Sequence, residues 1–174
     1  VRHGQTDWNL AQKMQGGGTE KKLNSTGIEQ ANETKSKLEN IKFDIVICSP
    51  MHRAIQTAEI INKNRNIPMI TDERIRERKL GEFEGHEITE EMEKRIWDYD
   101  LNYQIPGGEN LHEFEKRILD FLDDIKKKYE GKTVLIVAHG GVAKILKAHL
   151  YGMPKSKDLS EIEMKNCEII ETEI

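Results

Sequence analysis

Cysteine is scarce in this chain, basic charge is not in surplus, and long apolar runs are missing. Two cysteines, Cys48 and Cys167, in 174 residues do not make the dense disulfide framework of a small secreted domain. They lie far apart and outside any paired metal spacing. Cys48 sits in an apolar run and reads as a reduced, buried thiol, with a disulfide between the two left open. No stretch approaches the roughly 18 apolar residues of a membrane span. Lys and Arg number 27 against 31 Asp and Glu, a net charge of −4, which is the wrong sign for a general nucleic-acid binder. Local basic clusters remain open. The spacings His-x-His, His-Glu-x-x-His and Cys-x-x-Cys do not occur, so no metal centre is expected. Internal repeats and low-complexity tracts are absent as well.

What is there points to one globular domain over residues 1–174. Leu, Ile, Val and Phe make up 42 of the 174 residues, above the level that signals disorder, and the length suits a single core. Phe43–Cys48 and Thr133–Ala138 are short, rich in β-branched residues and flanked by polar punctuation, as expected of strands buried on both faces of a parallel sheet. Cys167–Ile174 reads as an edge strand. Leu111, Phe114, Ile118, Phe121, Ile125 and Tyr129 recur every three or four residues and predict a helix over Asn110–Tyr129, stopped by Gly131. Weaker helical periods cover Thr26–Leu38, His52–Asn64 and Gly141–Tyr151. Strands alternating with helices imply an α/β sandwich with crossover connections. The stretch from about 86 to 108 is more highly charged, carries Trp97 and Tyr99, and closes on Pro106-Gly107-Gly108. It reads as an insertion over the sheet, helical from Thr89 to Tyr99; a plain surface helix is the alternative.

Ligands of open α/β sheets bind at the carboxyl ends of strands, and three such ends carry suggestive residues. After the first predicted strand comes Ser49-Pro50-Met51-His52-Arg53. Ser49 suits an N-cap and Pro50 the first helical position. Arg53 then falls in the first turn, where a cation opposes the helix dipole unless an anion sits there. After the second comes His139-Gly140-Gly141, a histidine followed by glycines that permit close backbone approach. At the front stand Arg2-His3-Gly4-Gln5-Thr6, with Asn9 six residues after His3. Arg2, His3, Arg53 and His139 together suit a dianionic phosphoryl group.

These residues carry a resemblance. Arg2-His3-Gly4 with Gln5, Thr6 and Asn9, the series Ser49-Pro50-x-x-Arg53-Ala54-x-x-Thr57-Ala58, and Ala138-His139-Gly140-Gly141 resemble the histidine phosphatase superfamily, the phosphoglycerate-mutase-like group, in its compact phosphatase branch. Gln15-Gly16, Leu23–Gly27 with Gln30-Ala31, Gly81-x-Phe83-Glu84-Gly85 and Pro106-Gly107-Gly108-Glu109 extend the likeness. The ordered series runs from Val1 through at least Val142.

The resemblance implies a three-layer α/β/α sandwich around a mostly parallel sheet, with a small helical insertion over the active site. It implies that His3 is the nucleophile that becomes phosphohistidine. Arg2, Arg53 and His139 would bind phosphoryl oxygens, assisted by Asn9 and the Gly140 backbone. Glu77 occupies the position of the family's general acid/base, with Glu73, Glu82 and Glu84 as rivals and a mere pairing with Arg76 or Arg78 as the plainer reading. Gln15 and Gly16 match a stretch that lines the substrate site. Two departures stand out. Only Val1 remains of the strand that leads into Arg-His-Gly, so that strand is expected upstream. The loop Gln15–Lys22 is one residue longer and more polar than the common phosphatase pattern.

The expected activity is hydrolysis of small phosphorylated metabolites by a metal-independent phosphomonoesterase that needs no cofactor. The alternatives are a cofactor-dependent phosphoglycerate mutase and, with poorer fit, a non-catalytic phosphate-binding module. His52, His86, His112 and His149 read as ordinary surface or packing residues, with His52 adjoining the anion site. Trp97 and Tyr99 read as anchors of the insertion, with substrate contact as the alternative. Neither nucleic-acid nor membrane partners are expected. Because the chain opens on Val1 rather than Met, a cytoplasmic location is a default expectation. The sequence does not set the physiological substrate or the oligomeric state.

Overall fold

The periodic stripe of the longest predicted helix finds its partner first. The computed structural model describes residues 1–174, and in it Leu111–Lys128 form a helix with Leu111, Phe114, Ile118, Phe121, Leu122 and Ile125 buried. Asn110 accepts from the Glu113 N–H while the Glu113 side chain returns to the Asn110 N–H, a capping box. Lys126, Lys127 and Lys128 sit in the last turn, the favourable end for cations. Burying each large apolar side chain contributes about 1.5–3 kcal/mol. Phe114→Ala would cost about 3–5 kcal/mol, since its ring is fully enclosed.

The helices are α1 (Asp7–Leu10), α2 (Ser25–Lys37), α3 (His52–Asn62), α4 (Glu90–Trp97), α5 (Leu111–Lys128) and α6 (Gly140–Tyr151). The strands are β1 (Ile45–Cys48), β2 (Met69–Thr71) and β3 (Val134–Val137), in the order β2-β1-β3. Both pairings are parallel, with Ile47 opposite Ile70 on one side and Ile136 on the other. Beyond β3, Val1–His3 run alongside it. The Val1 amino group donates to Ile136 O at 2.7 Å, and the Ala138 and His3 N–H groups donate to Val1 O and Ala138 O, each at 2.9 Å.

Side-chain alternation along β1 divides the core into two layers. Ile45 and Ile47 join the cluster built on α5 and α6, while Val46 and Cys48 join Ala54, Ala58 and Ile61 of α3. Helix α2 packs on α3. The result is the three-layer α/β/α sandwich expected, with parallel strands joined through helical crossovers. Within the segment expected to be an insertion, α4 buries Ile96 and Trp97 in the α5–α6 layer.

Four features depart from the sequence reading. Strand β2 was not anticipated; three residues are too few to show a period. Cys167–Ile174 is not a strand. Cys167 N–H donates to Arg2 O at 3.0 Å and Arg2 N–H to Glu168 O at 3.3 Å, but Cys167 at φ +57° leaves the extended conformation. Enclosure on both faces holds for β1 alone, because Val134 and Ile136 of β3 are half-buried beside a cleft lined by Leu122, Tyr129 and Leu146. Finally, the N-cap of α3 is Met51 without a side-chain cap, two residues beyond Ser49. The Ser49 hydroxyl is committed elsewhere.

Candidate active site

His3 is nearly enclosed, at 2% exposure. Its Nδ1 lies 2.7 Å from Gly4 O. A carbonyl only accepts, so Nδ1 carries the proton and Nε2 keeps its lone pair. Burial first, and then the charges of Arg53 and Arg2, hold this imidazole well below its ordinary value of 6.5. A neutral ring with a bare Nε2 is the form required of a nucleophile. Gly4 is needed for packing: a Cβ there would stand 2.4 Å from Gly27 O.

The second strand end is brought in by Thr57. Its Oγ1 accepts from Gly4 N–H at 3.0 Å and donates to Arg53 O at 2.7 Å, locking α3 onto the His3 turn. Arg53 is fully buried. Its Nη1 donates to Thr19 O at 2.9 Å and its Nη2 to Gly16 O at 3.3 Å, while Nε has no partner. Burial brings this guanidinium down to about 10 against the pull of Glu77, Glu20 and Glu84, so it remains charged at neutral pH. Arg2 donates to Met164 O, and its Nε is likewise buried without a partner.

His139 completes the set. Its ring centroid is 5.2 Å from that of His3 in an edge-on arrangement. Nε2 lies 2.7 Å from Ser49 Oγ, and Nδ1 is buried and unpartnered. Gly140 opens α6, where the first N–H groups of a helix lack intrahelical partners and favour an anion. Asn9 Oδ1 accepts from the Thr6 N–H at 3.1 Å and from Asn166 Nδ2 at 3.4 Å, leaving its own amide N–H groups unused by the protein.

Glu77 comes from a fourth segment. Its Oε1 accepts from Arg78 N–H at 2.9 Å and its Oε2 from Gly141 N–H at 3.0 Å, at the mouth of α6. At Gly141 an added Cβ would stand 2.3 Å from Glu77 Oε1 and 2.9 Å from Trp97 Cη2, so the carboxylate and the indole edge share one wall. The rivals are exposed or, for Glu84, committed to the neighbouring loop. Glu73 is exposed beside Arg76 at 3.4 Å, Glu82 is exposed, and Glu84 accepts from Gly18 and Leu80 N–H groups. Neither neighbouring arginine side chain pairs with Glu77. Arg76 binds Gly17 O and Glu20, and Arg78 donates to the Glu109 and Ile96 carbonyls.

The longer loop is tied down from both sides. Gly17 N–H donates to Arg78 O at 2.8 Å, Gly16 and Thr19 carbonyls hold Arg53, and the Gln15 Oε1 accepts from Thr6 Oγ1 at 2.7 Å. His52 has 60% of its side chain exposed and lies 3.6 Å from Glu20. Trp97 packs against Phe114 and Arg78 as an anchor, and Tyr99 donates to Glu115.

Sequence reasoning missed several supports. Arg117 of α5 donates to Arg74, Arg76 and Glu77 carbonyls while paired with Glu109 at 2.8 Å, and so fixes the Glu77 backbone. Asn166 Nδ2 donates to His3 O at 2.9 Å. Ser49 contacts His139 rather than capping α3. No local pattern marks any of these, because the site group each one holds lies 40 or more residues away.

Comparison with known proteins follows the same lines. The model of the histidine phosphatase superfamily (branch 1) matches residues 1–174. A Bacillus subtilis protein named "Uncharacterized phosphatase PhoE" is 41% identical over 152 residues, covering 87% of this chain and 76% of its own length. A Proteus mirabilis protein named "Probable phosphoglycerate mutase GpmB" is 31% identical over 175 residues, covering 97% and 80%. Among solved structures, Bacillus stearothermophilus YhfR superimposes with a TM-score of 0.85 at 32% identity, covering 96% of this chain and 85% of that one.

Proposed function

The chain belongs to the histidine phosphatase superfamily and is an enzyme of its phosphatase and mutase class, and from that premise we propose that it is a phosphomonoesterase acting on small phosphorylated metabolites through a phosphohistidine. One observation carries the reading. Four buried side-chain nitrogens lack any partner, and three of them, Arg2 Nε, Arg53 Nε and His139 Nδ1, belong to the residues grouped around His3. Unsatisfied buried polar groups are costly. A phosphoryl dianion would satisfy them together and be neutralised by them.

In this reading His3 Nε2 attacks phosphorus in line with the leaving oxygen. Negative charge on the equatorial oxygens is met by Arg2, Arg53, His139, the Asn9 amide and the Gly140 N–H. The leaving alkoxide is strongly basic and takes a proton from Glu77. A water then attacks the phosphohistidine, and Glu77 accepts its proton. The covalent intermediate splits one hard displacement into two easier ones. Gln15 and Gly16 line the approach, and α4, with Trp97 beside Glu77, forms part of a cap over the substrate. The fixed cations supply the charge neutralisation that a divalent metal gives in other phosphoryl-transfer sites, so no metal has a role. Two buried free thiols, Cys48 and Cys167, accord with a reducing, cytoplasmic setting.

The likeness to GpmB favours one competing reading, a phosphoglycerate mutase that holds its phosphohistidine away from water. A decayed binding module fits worse, since no member of the catalytic set is replaced. Release of inorganic phosphate from a panel of phosphorylated metabolites, run beside interconversion of 3- and 2-phosphoglycerate with the bisphosphate present, decides between them. Hydrolysis is expected to dominate. Interconversion exceeding hydrolysis would replace the phosphatase reading with the mutase one.

A further inference from the structure

The buried pair Ser49 and His139 has a proton arrangement that hydrogen-bond accounting resolves. β1 and β3 are in register with Cys48 opposite Val137, and Ser49 N–H donates to Val137 O at 2.9 Å. The residues that end the two strands are thereby set side by side. Ser49 Oγ lies 2.7 Å from His139 Nε2, and the two residues are 0% and 1% exposed. The same oxygen is 3.4 Å from Met51 N–H, which can only donate to it. Ser49 makes no other side-chain hydrogen bond. Its own proton has one acceptor in reach, Nε2. If Nε2 were protonated instead, two N–H groups would point at one oxygen, and the hydroxyl proton would be stranded in the interior.

We propose that Ser49 is a positioning residue. It donates to His139 Nε2, fixes the neutral Nδ1-protonated tautomer of His139, and makes the ring's second nitrogen a hydrogen-bond donor to the substrate's phosphoryl oxygen. The inference rests on the phosphatase reading for what Nδ1 meets, but not for the tautomer. Burial, then Arg53, His3 and Arg2, hold the His139 imidazole well below its ordinary value, so at neutral pH the ring has one proton to place. Left to itself beside two arginines, an empty site would favour Nδ1 with its lone pair toward the cations. That tautomer would meet an incoming dianion with a lone pair. Ser49 biases the ring the other way before substrate arrives. Its commitment to His139 also explains why α3 begins without a side-chain cap.

The test uses the full chain labelled with ¹⁵N-histidine and no substrate. Long-range ¹H–¹⁵N correlation near pH 7.5, with His139 assigned by its loss in His139→Gln, should show Nδ1 protonated and Nε2 bare. A wild-type ring protonated at Nε2 overturns the proposal. In Ser49→Ala the ring should move toward the other tautomer, and vanadate affinity, read by its effect on the ¹⁵N spectrum, should fall about tenfold. A variant that keeps both the wild-type tautomer and the wild-type affinity overturns the positioning role. The wild-type spectrum decides the tautomer even if the variant folds poorly. Failure of the phosphatase reading would show differently, as a wild-type protein that hydrolyses no phosphomonoester whatever its His139 tautomer.

Discussion

Replacing Glu77 by glutamine removes one proton-transfer group and disturbs one buried pair of hydrogen bonds, and the two consequences are separable. Both carboxylate oxygens accept backbone N–H groups, Oε1 from Arg78 at 2.9 Å and Oε2 from Gly141 at 3.0 Å. An amide offers one oxygen and one NH₂, so one of these N–H groups would face a donor. Stranding a buried donor costs about 1–3 kcal/mol. For a chain of this size that is a fall in Tm of roughly 2–12 °C, at 2–4 °C per kcal/mol. Catalytic loss should depend on the leaving group. General acid catalysis contributes about 10²–10⁴-fold. Phosphoenzyme formation from an alkyl phosphate should slow by that order in Glu77→Gln. An aryl phosphate with an electron-withdrawing ring, whose phenolate departs unaided, should slow far less. Rapid-quench measurement of the phosphoenzyme isolates this step from the later attack of water. A thermal melt on the same samples confirms that the folded population is being compared. Equal slowing of both substrate types would refute the assignment and leave Glu77 as a support for Gly141 and the Arg78 backbone. The acid would then have to come from Glu73 or Glu82, which are exposed, or from Glu84, whose oxygens accept from Gly18, Thr19 and Leu80.

Three further outcomes are expected. His3→Ala should abolish turnover without unfolding the protein, and labelled substrate should leave an acid-labile, base-stable phosphoenzyme in the wild type only; persistent labelling in the variant would remove His3 from its role. EDTA should not lower activity, and vanadate should inhibit by imitating the five-coordinate transition state; activity lost to chelation and restored by magnesium would mean a different reaction class. Stability should fall as pH drops below about 6.5, the unfolded histidine value. His3 and His139 are both held well below it in the fold, so below 6.5 the unfolded chain binds protons that the native state refuses. The two histidines give a slope of up to about 2.7 kcal/mol per pH unit, with stability fully present above that pH. Urea titrations at stepped pH should show this slope, reduced by one proton in His3→Gln; a flat profile from 6.5 to 5 would contradict the buried neutral rings.

What the sequence determined by itself are the properties written in short-range order. The stripe Leu111–Ile125 declared α5, because a 3.6-residue period shows clearly over 18 residues. The run ending at Cys48 declared a buried strand, and the positions after β1 and β3 carried the residues expected to meet a ligand. Arg2, His3, Arg53 and His139 were legible as a group, because strand ends and tight turns leave local marks of glycine, proline and histidine; Glu77 was singled out only by the family resemblance. Strand β2 was not, since three residues at Met69–Thr71 are too few to show an alternation. The seeming edge strand at Cys167–Ile174 failed for a different reason: a left-handed residue at its start turns the backbone away from pairing. The supports of the site were also beyond the sequence. Thr57 joining Gly4 to Arg53, Arg117 gripping the Glu77 carbonyl, Asn166 reaching His3 O, and Ser49 meeting His139 instead of capping α3 join groups 40 to 163 residues apart, Thr57 to Arg53 excepted. Such contacts depend on sheet register and helix docking, which only the packed core sets. The tertiary structure therefore decided the chemical state of the residues the sequence had named: which nitrogen of His3 bears the proton, which guanidinium nitrogens remain free, and which backbone groups hold the Glu77 carboxylate.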